Sequence, residues 1–541
     1  MFFFLLIAIL YSPVYVTAKE PVCATVQSDT VASVDYRNAT VAYKEKRYGD
    51  AVKLWKVAAK AGNDNAMCNL GTCYSKGIGV ASSQKQALKW WRSAAEMGND
   101  VAQCNLGNCY LNGNGVKADP DIAADWFMLS ASQGNPMALT SLGKCYLDGI
   151  GVIEDTISAV ECFYEASEKG YSVAQCELAD CYYSGTGVER NLDEALYWYR
   201  KSAAGGYSVA QRLLAICYEN GDGMAVSYPD AAKWYMAAAE QGDVESQFAL
   251  AELYFTGSGV EKDHKKAVKW YTEAARKGHA GSQYYLAGCY YSGTGVEVDF
   301  EKAVKWYREA AKNGDTDAMC QLAGCYYWGD GVSQDPYMAA EIYHKAAMLG
   351  NADSQYYLAE CYMNGIGVDF DITEAWKWYN KAAEQEHAAA QNTLGCMYRD
   401  GVMVSKDLEK AFAAFSSAAE LGDIDAIFNL ASCYYSGKGV EQDRLKAART
   451  FIRAAEQGHV VAQHNIAVCF YNGYGLQQSY EEAVKWYLKA AEQGYPQAQY
   501  ELGLCHYNGH GVEQSRDEAV KWWTLAAGQG YEPAKVALKK K

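Results

Sequence analysis

Basic residues are outnumbered in this chain. Lys and Arg total 49 against 65 Asp and Glu, a net charge of −16. That balance excludes a general nucleic-acid binder, which needs a basic surface. The only basic run is Lys539, Lys540, Lys541, a solvated end that complements a helix dipole. Beyond the first residues no apolar run is long enough to cross a membrane, which takes ~20 residues. Histidine is scarce, with eight scattered along 541 residues. The nearest approach to a metal motif is "CHYNGH", where His506 and His510 flank a glycine loop beside Cys505. No paired-carboxylate, Ser/His/Asp or phosphate-loop constellation occurs. The many Gly-x-Gly elements lack the third glycine and the preceding strand of a dinucleotide site. No catalytic residue, metal ligand or cofactor is expected, and the chain reads as a non-enzyme.

Half of the residues are apolar, so the chain folds rather than remaining disordered. It opens with "MFFFLLIAILYSPVYVTA", an apolar run closing on the small-residue pattern Val16-Thr17-Ala18. Residues 1–18 read as a secretory signal peptide, although no positive charge precedes the run. An uncleaved anchor is the alternative, disfavoured by Pro13 and by the shortness of the run. Export to a periplasmic, extracellular or lumenal compartment follows, with no membrane span after cleavage. Asn38-Ala39-Thr40 is a glycan acceptor triplet, meaningful where the source glycosylates. Eighteen cysteines sit uneasily with an oxidising compartment, where disulfides form. Links between neighbouring repeats are open; sequence cannot assign partners.

Most of those cysteines obey a rule. "LGTCYSKGIGV" begins at Leu70, "LGNCYLNGNGV" at Leu106 and "LGKCYLDGIGV" at Leu142. The step is 36 residues, and thirteen copies follow without insertion. A period of this size marks a stacked repeat array. The cysteine slot runs from Cys73 to Cys505 and is filled otherwise only by Leu253 and Met397. A slot that accepts Cys, Leu or Met is a small apolar packing position. Four more cysteines, Cys68, Cys104, Cys176 and Cys320, lie five residues earlier. Positions five apart on a helix point ~140° apart, so Cys68 and Cys73 should not bond to each other.

Residues 243–278 show how one copy builds itself. Ser246, Ala249, Leu250, Leu253 and Tyr254 have the i, i+3, i+4, i+7, i+8 spacing of an amphipathic helix. "TGSGVEKD" ends it, because glycine takes positive φ at a helix C-terminus without steric cost. The first glycine occurs in all thirteen copies; the second is replaced once, by Met403. The next residue, such as Val80, Met224 or Leu476, is always apolar and anchors the loop. A second helix carries Ala267, Trp270 and Ala274, and a glycine ends it in every copy except at Glu386. Trp198, Trp234, Trp270, Trp306 and Trp486 share one slot on the second helices, read as packing between repeats. No copy can bury its apolar stripes alone, so stacking is required. The two departures suggest a less regular joint around residues 386–404.

The pattern AQxxLGxxYxxGxGV…KAxxWYxxAAExG resembles the Sel-one-like repeat family, relatives of the tetratricopeptide repeat. The match covers residues 63–530. The resemblance implies an all-α solenoid, with antiparallel helix pairs stacked into a right-handed superhelix, and scaffold or adaptor roles toward protein or peptide partners. Residues 19–34 form a linker, 35–62 a capping helix pair and 531–541 a capping helix. By the tetratricopeptide register, positions equivalent to 68 and 75 face the concave groove. Read along the chain they include Phe248, Phe255, Tyr284, Tyr291 and Tyr327, then Tyr356, then Phe428, Tyr435, Tyr471, Tyr500 and Tyr507. Tyrosine is amphipathic and costs little entropy to order, so these rings are candidates to hold a partner segment. The plainer reading is that they pack between adjacent first helices. A secreted glycan- or cell-wall-binding protein, or a hydrolase with a groove site, is the alternative function.

Overall fold

The computed structural model describes residues 31–539; the expected signal peptide and most of the linker lie outside them, as does Cys23. Among the described residues there are 29 helices and no strand. A short pair, Val31–Lys44 and Tyr48–Lys60, leads into thirteen helix pairs, and Glu532–Lys539 closes the chain. The molecule is an all-α solenoid. The chain divides into two compact units, one up to Asp243 and one from Val244. The first holds the leading pair and five repeats, the second eight repeats and the closing helix.

Local chemistry sets the helix lengths. In all thirteen repeats the second helix starts behind Asp, Ser or Asn, whose side chain accepts a hydrogen bond from the first-turn backbone. Asp119 accepts from the Ile122 N–H at 3.2 Å and Asp263 from the Lys266 N–H at 3.0 Å. Such caps satisfy donors the helix cannot. Every first helix ends on a left-handed glycine wherever its cap geometry is described, as at Gly77 with φ 71°. The loop then closes through the Ser83 N–H on the Tyr74 carbonyl, 2.8 Å, and again through Asp119 on Tyr110, 2.9 Å. The anchoring apolar residue packs where expected: Val440 and Leu476 lie against one buried cluster and Met224 against another.

The second loop glycine has a further task. A Cβ on Gly439 would lie 1.9 Å from the carbonyl oxygen of Leu408, in the preceding repeat. Each loop therefore rests on the first turn of the second helix before it. Met403 takes this position with φ 67°, and Glu386 keeps the left-handed turn with φ 61°. The suggested irregular joint is thus regular in backbone conformation, with the two side chains carrying strain that glycine avoids.

A buried amide pair ties the first helix of a repeat to the end of its own second helix and to the repeat before it. Gln103 donates to the Ala95 carbonyl at 3.2 Å, and its own carbonyl oxygen accepts from Gln133 at 2.8 Å. Gln211 with Gln241, Gln355 with Gln385 and Gln463 with Gln493 repeat the contact at 2.8 Å. Where Leu421 stands in place of the second amide, the Gln391 oxygen is buried without a partner.

The core is built of small residues and one ring per repeat. In five copies a glycine before the groove faces Phe or Trp; a Cβ on Gly107 would meet Phe127 at 2.6 Å. In the others alanine faces Tyr, as Ala251 faces Tyr271, with Ala431 and Phe451 the exception. The periodic cysteines are all buried, and burial pushes the Cys73 thiol up to about 11 and Cys505 to about 12. Seventeen cysteines are described, and no disulfide joins any two of them. Cys396, outside both periodic sets, is half-buried. On the repeated tryptophan slot, Trp198 and Trp270 are buried and Trp234, Trp306 and Trp486 half-buried. Trp198 meets Tyr164 of the preceding repeat edge-on at 6.2 Å.

Candidate binding groove

The first helices carry the candidate rings, and most of those rings touch neighbouring helices. Phe248 packs on Tyr271, His279 and Tyr285; Phe255 meets His264 edge-on. Tyr284 leans on Tyr285 and Tyr307. Phe428 stacks on His459 at 4.5 Å and Tyr356 on His387 at 4.8 Å. Tyr435 tilts against Phe451 and Tyr474, and Tyr500 against Trp523 and Tyr531. The slot equivalent to 75 also latches one repeat to the next. Tyr183 donates to Asp222 at 2.9 Å and Tyr291 to Asp330 at 2.7 Å, and the Tyr471 hydroxyl lies 2.7 Å from His510 Nδ1. That bond to Asp330, with burial, pushes the Tyr291 hydroxyl up to about 12. Of the eleven candidates, Tyr291 and Tyr507 are exposed and the rest half-buried.

Three of the eleven, Tyr291, Tyr327 and Tyr356, come together in the second unit. They line a cavity of about 380 Å³ between the helices Ala280–Ser292, Thr316–Trp328 and Ala352–Asn364. Sequence reasoning missed their companions Trp328, Tyr343 and Tyr357, with Gln321 and Glu360. Trp328 is 70% exposed and Tyr357 45%.

A missing side chain creates the cavity. In three copies the residue before the periodic cysteine is a carboxylate, and it accepts the hydroxyl of the core tyrosine. Asp180 accepts from Tyr199, Glu252 from Tyr271, and Glu360 from Tyr379 at 2.5 Å. At Gly288 and Gly324 that side chain is absent. A Cβ there would sit 3.8 Å from the Tyr307 hydroxyl and 3.7 Å from that of Tyr343. Neither hydroxyl has a hydrogen-bond partner among the described residues. This pair of glycines was the signal in the sequence that could have located the site.

Two charged groups elsewhere on the first helices have internal partners. Lys144 reaches Glu177 at 2.6 Å, and Arg212 lies 3.3 Å from Asp243. Beside them burial pushes the Asp180 carboxyl up to about 7, opposed by the Tyr199 hydrogen bond. Three histidines are helix caps: the Nδ1 atoms of His279, His387 and His459 accept first-turn N–H groups at 3.0–3.1 Å. His506 and His510 do not converge with Cys505; His510 stacks on Tyr480 at 4.6 Å. No cluster of His, Cys, Asp or Glu able to hold a metal occurs among the described residues. No helix there is long and apolar enough to cross a membrane.

Comparison with known proteins agrees with this architecture. The Sel1 repeat model matches thirteen consecutive segments, from residues 64–99 to 496–531. The crystal structure of c5321, a protective antigen of uropathogenic Escherichia coli displaying an SLR fold, is 33% identical. It covers 83% of this chain and 97% of its own, with a TM-score of 0.69. A Sel1 repeat protein from Oxalobacter formigenes is 30% identical over 57% of this chain and 90% of its own, with a TM-score of 0.44. No curated protein matches the chain. Proteins of this repeat class generally serve as protein-interaction scaffolds. With thirteen copies in unbroken register, the chain belongs to the Sel1 repeat family.

Proposed function

We propose that the protein is an exported, non-enzymatic scaffold that holds a protein or peptide segment against its first helices. One observation carries the reading: large rings stay exposed around the cavity although the fold does not need them. Trp328 is 70% exposed, and a solvated helix end is better served by a polar residue. Exposed aromatic clusters beside a concavity are where binding energy concentrates. The alternative of a hydrolase draws no support from Asp180. Its carboxyl repeats the tyrosine–carboxylate pair of Glu252 and Glu360, which is a packing device.

A photo-crosslinking amino acid placed at Tyr285 or Tyr357 should capture a partner from the native source. The same probe at Lys305, exposed on a second helix, should not. Capture from Lys305 alone would place the binding surface elsewhere. Export is tested separately: the mature protein should begin at Lys19, and an N-terminus retaining Met1 would overturn cleavage.

A further inference from the structure

The cavity between Tyr291 and Tyr357 has a chemistry of its own. Its walls are aromatic, from Tyr291, Tyr327, Trp328 and Tyr357. Its polar groups are the Glu360 carboxylate, the Gln321 amide and the Tyr343 hydroxyl. None of the lining residues is Lys or Arg. The helices Ala280–Ser292, Thr316–Trp328 and Ala352–Asn364 bear Asp317, Asp353 and Glu360 and no basic residue at all. Asp330, bonded to Tyr291, adds a further carboxylate at the rim.

Around the cavity, between residues 264 and 384, the helical lysines lie on the second helices, where several cover the rings. Lys269 lies 5.2 Å from the Trp270 ring, Lys305 5.8 Å from Trp306 and Lys377 5.7 Å from Trp378. No cation lies over the cavity's rings among the described residues. Aromatic faces carry negative quadrupole charge and attract Lys or Arg within about 6 Å. A nearby carboxylate adds charge complementarity in a site partly shielded from water. A volume of about 380 Å³ lies at the small end of ligand pockets. It has room for one long side chain and not for a folded surface.

We propose that this cavity takes the Lys or Arg side chain of an extended, basic peptide segment. The proposal rests on the partner-binding reading and specifies the partner's chemistry. The Glu360 carboxylate and the ring faces hold the cation, the alkyl stem lies along Tyr327 and Trp328, and the Tyr343 hydroxyl is left to bond the peptide backbone.

The test uses the full chain on an array of random twelve-residue peptides, with an array of oligosaccharides beside it. Peptides rich in Lys or Arg should dominate the bound set, and their binding should weaken as salt rises. Trp328→Ala and Glu360→Gln should each lower binding of a selected basic peptide roughly fivefold or more. Gly324→Leu should abolish it by filling the cavity. That leucine already occupies the equivalent slot of another copy as Leu504, so the variant should fold, and its circular dichroism should match the parent. Binding that prefers acidic or neutral peptides, or that ignores all three substitutions, would overturn this proposal and leave the scaffold reading standing. Oligosaccharide binding lost in Trp328→Ala, with no peptide bound, would overturn both. Failure of the wild-type chain to bind either array would also overturn both.

Discussion

Asp180 shows how one side chain couples this fold to pH. Burial holds its carboxyl at about 7 in the native state, well above the unfolded value near 3.9. A raised acid favours the native state while it is protonated. That stability is fully present below the unfolded pKa and is lost as pH climbs through 7. Asp180→Asn keeps an oxygen for the Tyr199 hydroxyl and removes the titration. Thermal melts at pH 4.5 and 8 should differ less in the variant, which should be the more stable form at pH 8. The periodic cysteine makes a second case. Cys289 is buried, so Cys289→Ser, which seals in a stronger hydrogen-bonding group, should cost roughly 1–3 kcal/mol. Cys289→Ala should cost less, and denaturant titration separates the two. The apolar character of that slot was legible, because it admits Leu253 and Met397. The histidine caps were not, since His279, His387 and His459 gain meaning only once a helix start is located beside them.

At the scale of helices and loops, packing partners matter more than propensity. The clasp that lacks one amide can be completed: Leu421→Gln should give the Gln391 oxygen a donor and stabilise the protein by about 1 kcal/mol. An unchanged melting temperature would show that water already serves that oxygen. The loop glycine gives the opposite expectation. Gly439→Ala pushes a methyl into the Leu408 carbonyl and places alanine at φ 77°, and should destabilise by roughly 2 kcal/mol or more. Met403→Gly should gain about 1 kcal/mol by relieving the same turn. Helix pairs, loops and their register were legible because 36-residue spacing repeats every capping and packing choice thirteen times. The binding face was less so. Adjacent helix positions differ by about 100° in direction, and spacing alone does not tell which flank the next repeat covers. Rings such as Phe248 and Phe428 therefore look like ligand contacts in the sequence while they rest on His279 and His459.

Over the whole chain, order is passed from neighbour to neighbour. Side-chain bonds joining one repeat to the next, such as Arg92 to Tyr110, Asn429 to Asn392 and Tyr183 to Asp222, span 18, 37 and 39 positions; none among the described residues skips a repeat. Stability should then behave as a sum of units and nearest-neighbour interfaces. Excising residues 388–423, one complete copy, should leave a folded chain with the same helicity per residue. Excising 388–405 breaks the pairing of first with second helices and should unfold the surrounding repeats; circular dichroism and limited proteolysis distinguish these outcomes.

The cavity beside Tyr343 arises by omission. A glycine stands where three other copies carry a carboxylate, and the tyrosine hydroxyl bonded in those copies faces the cavity instead. Nothing in that exchange disturbs the neighbouring copies. The location of a recognition pocket along such a chain is accordingly a matter of a single codon, free to migrate from copy to copy while the architecture stays as it was.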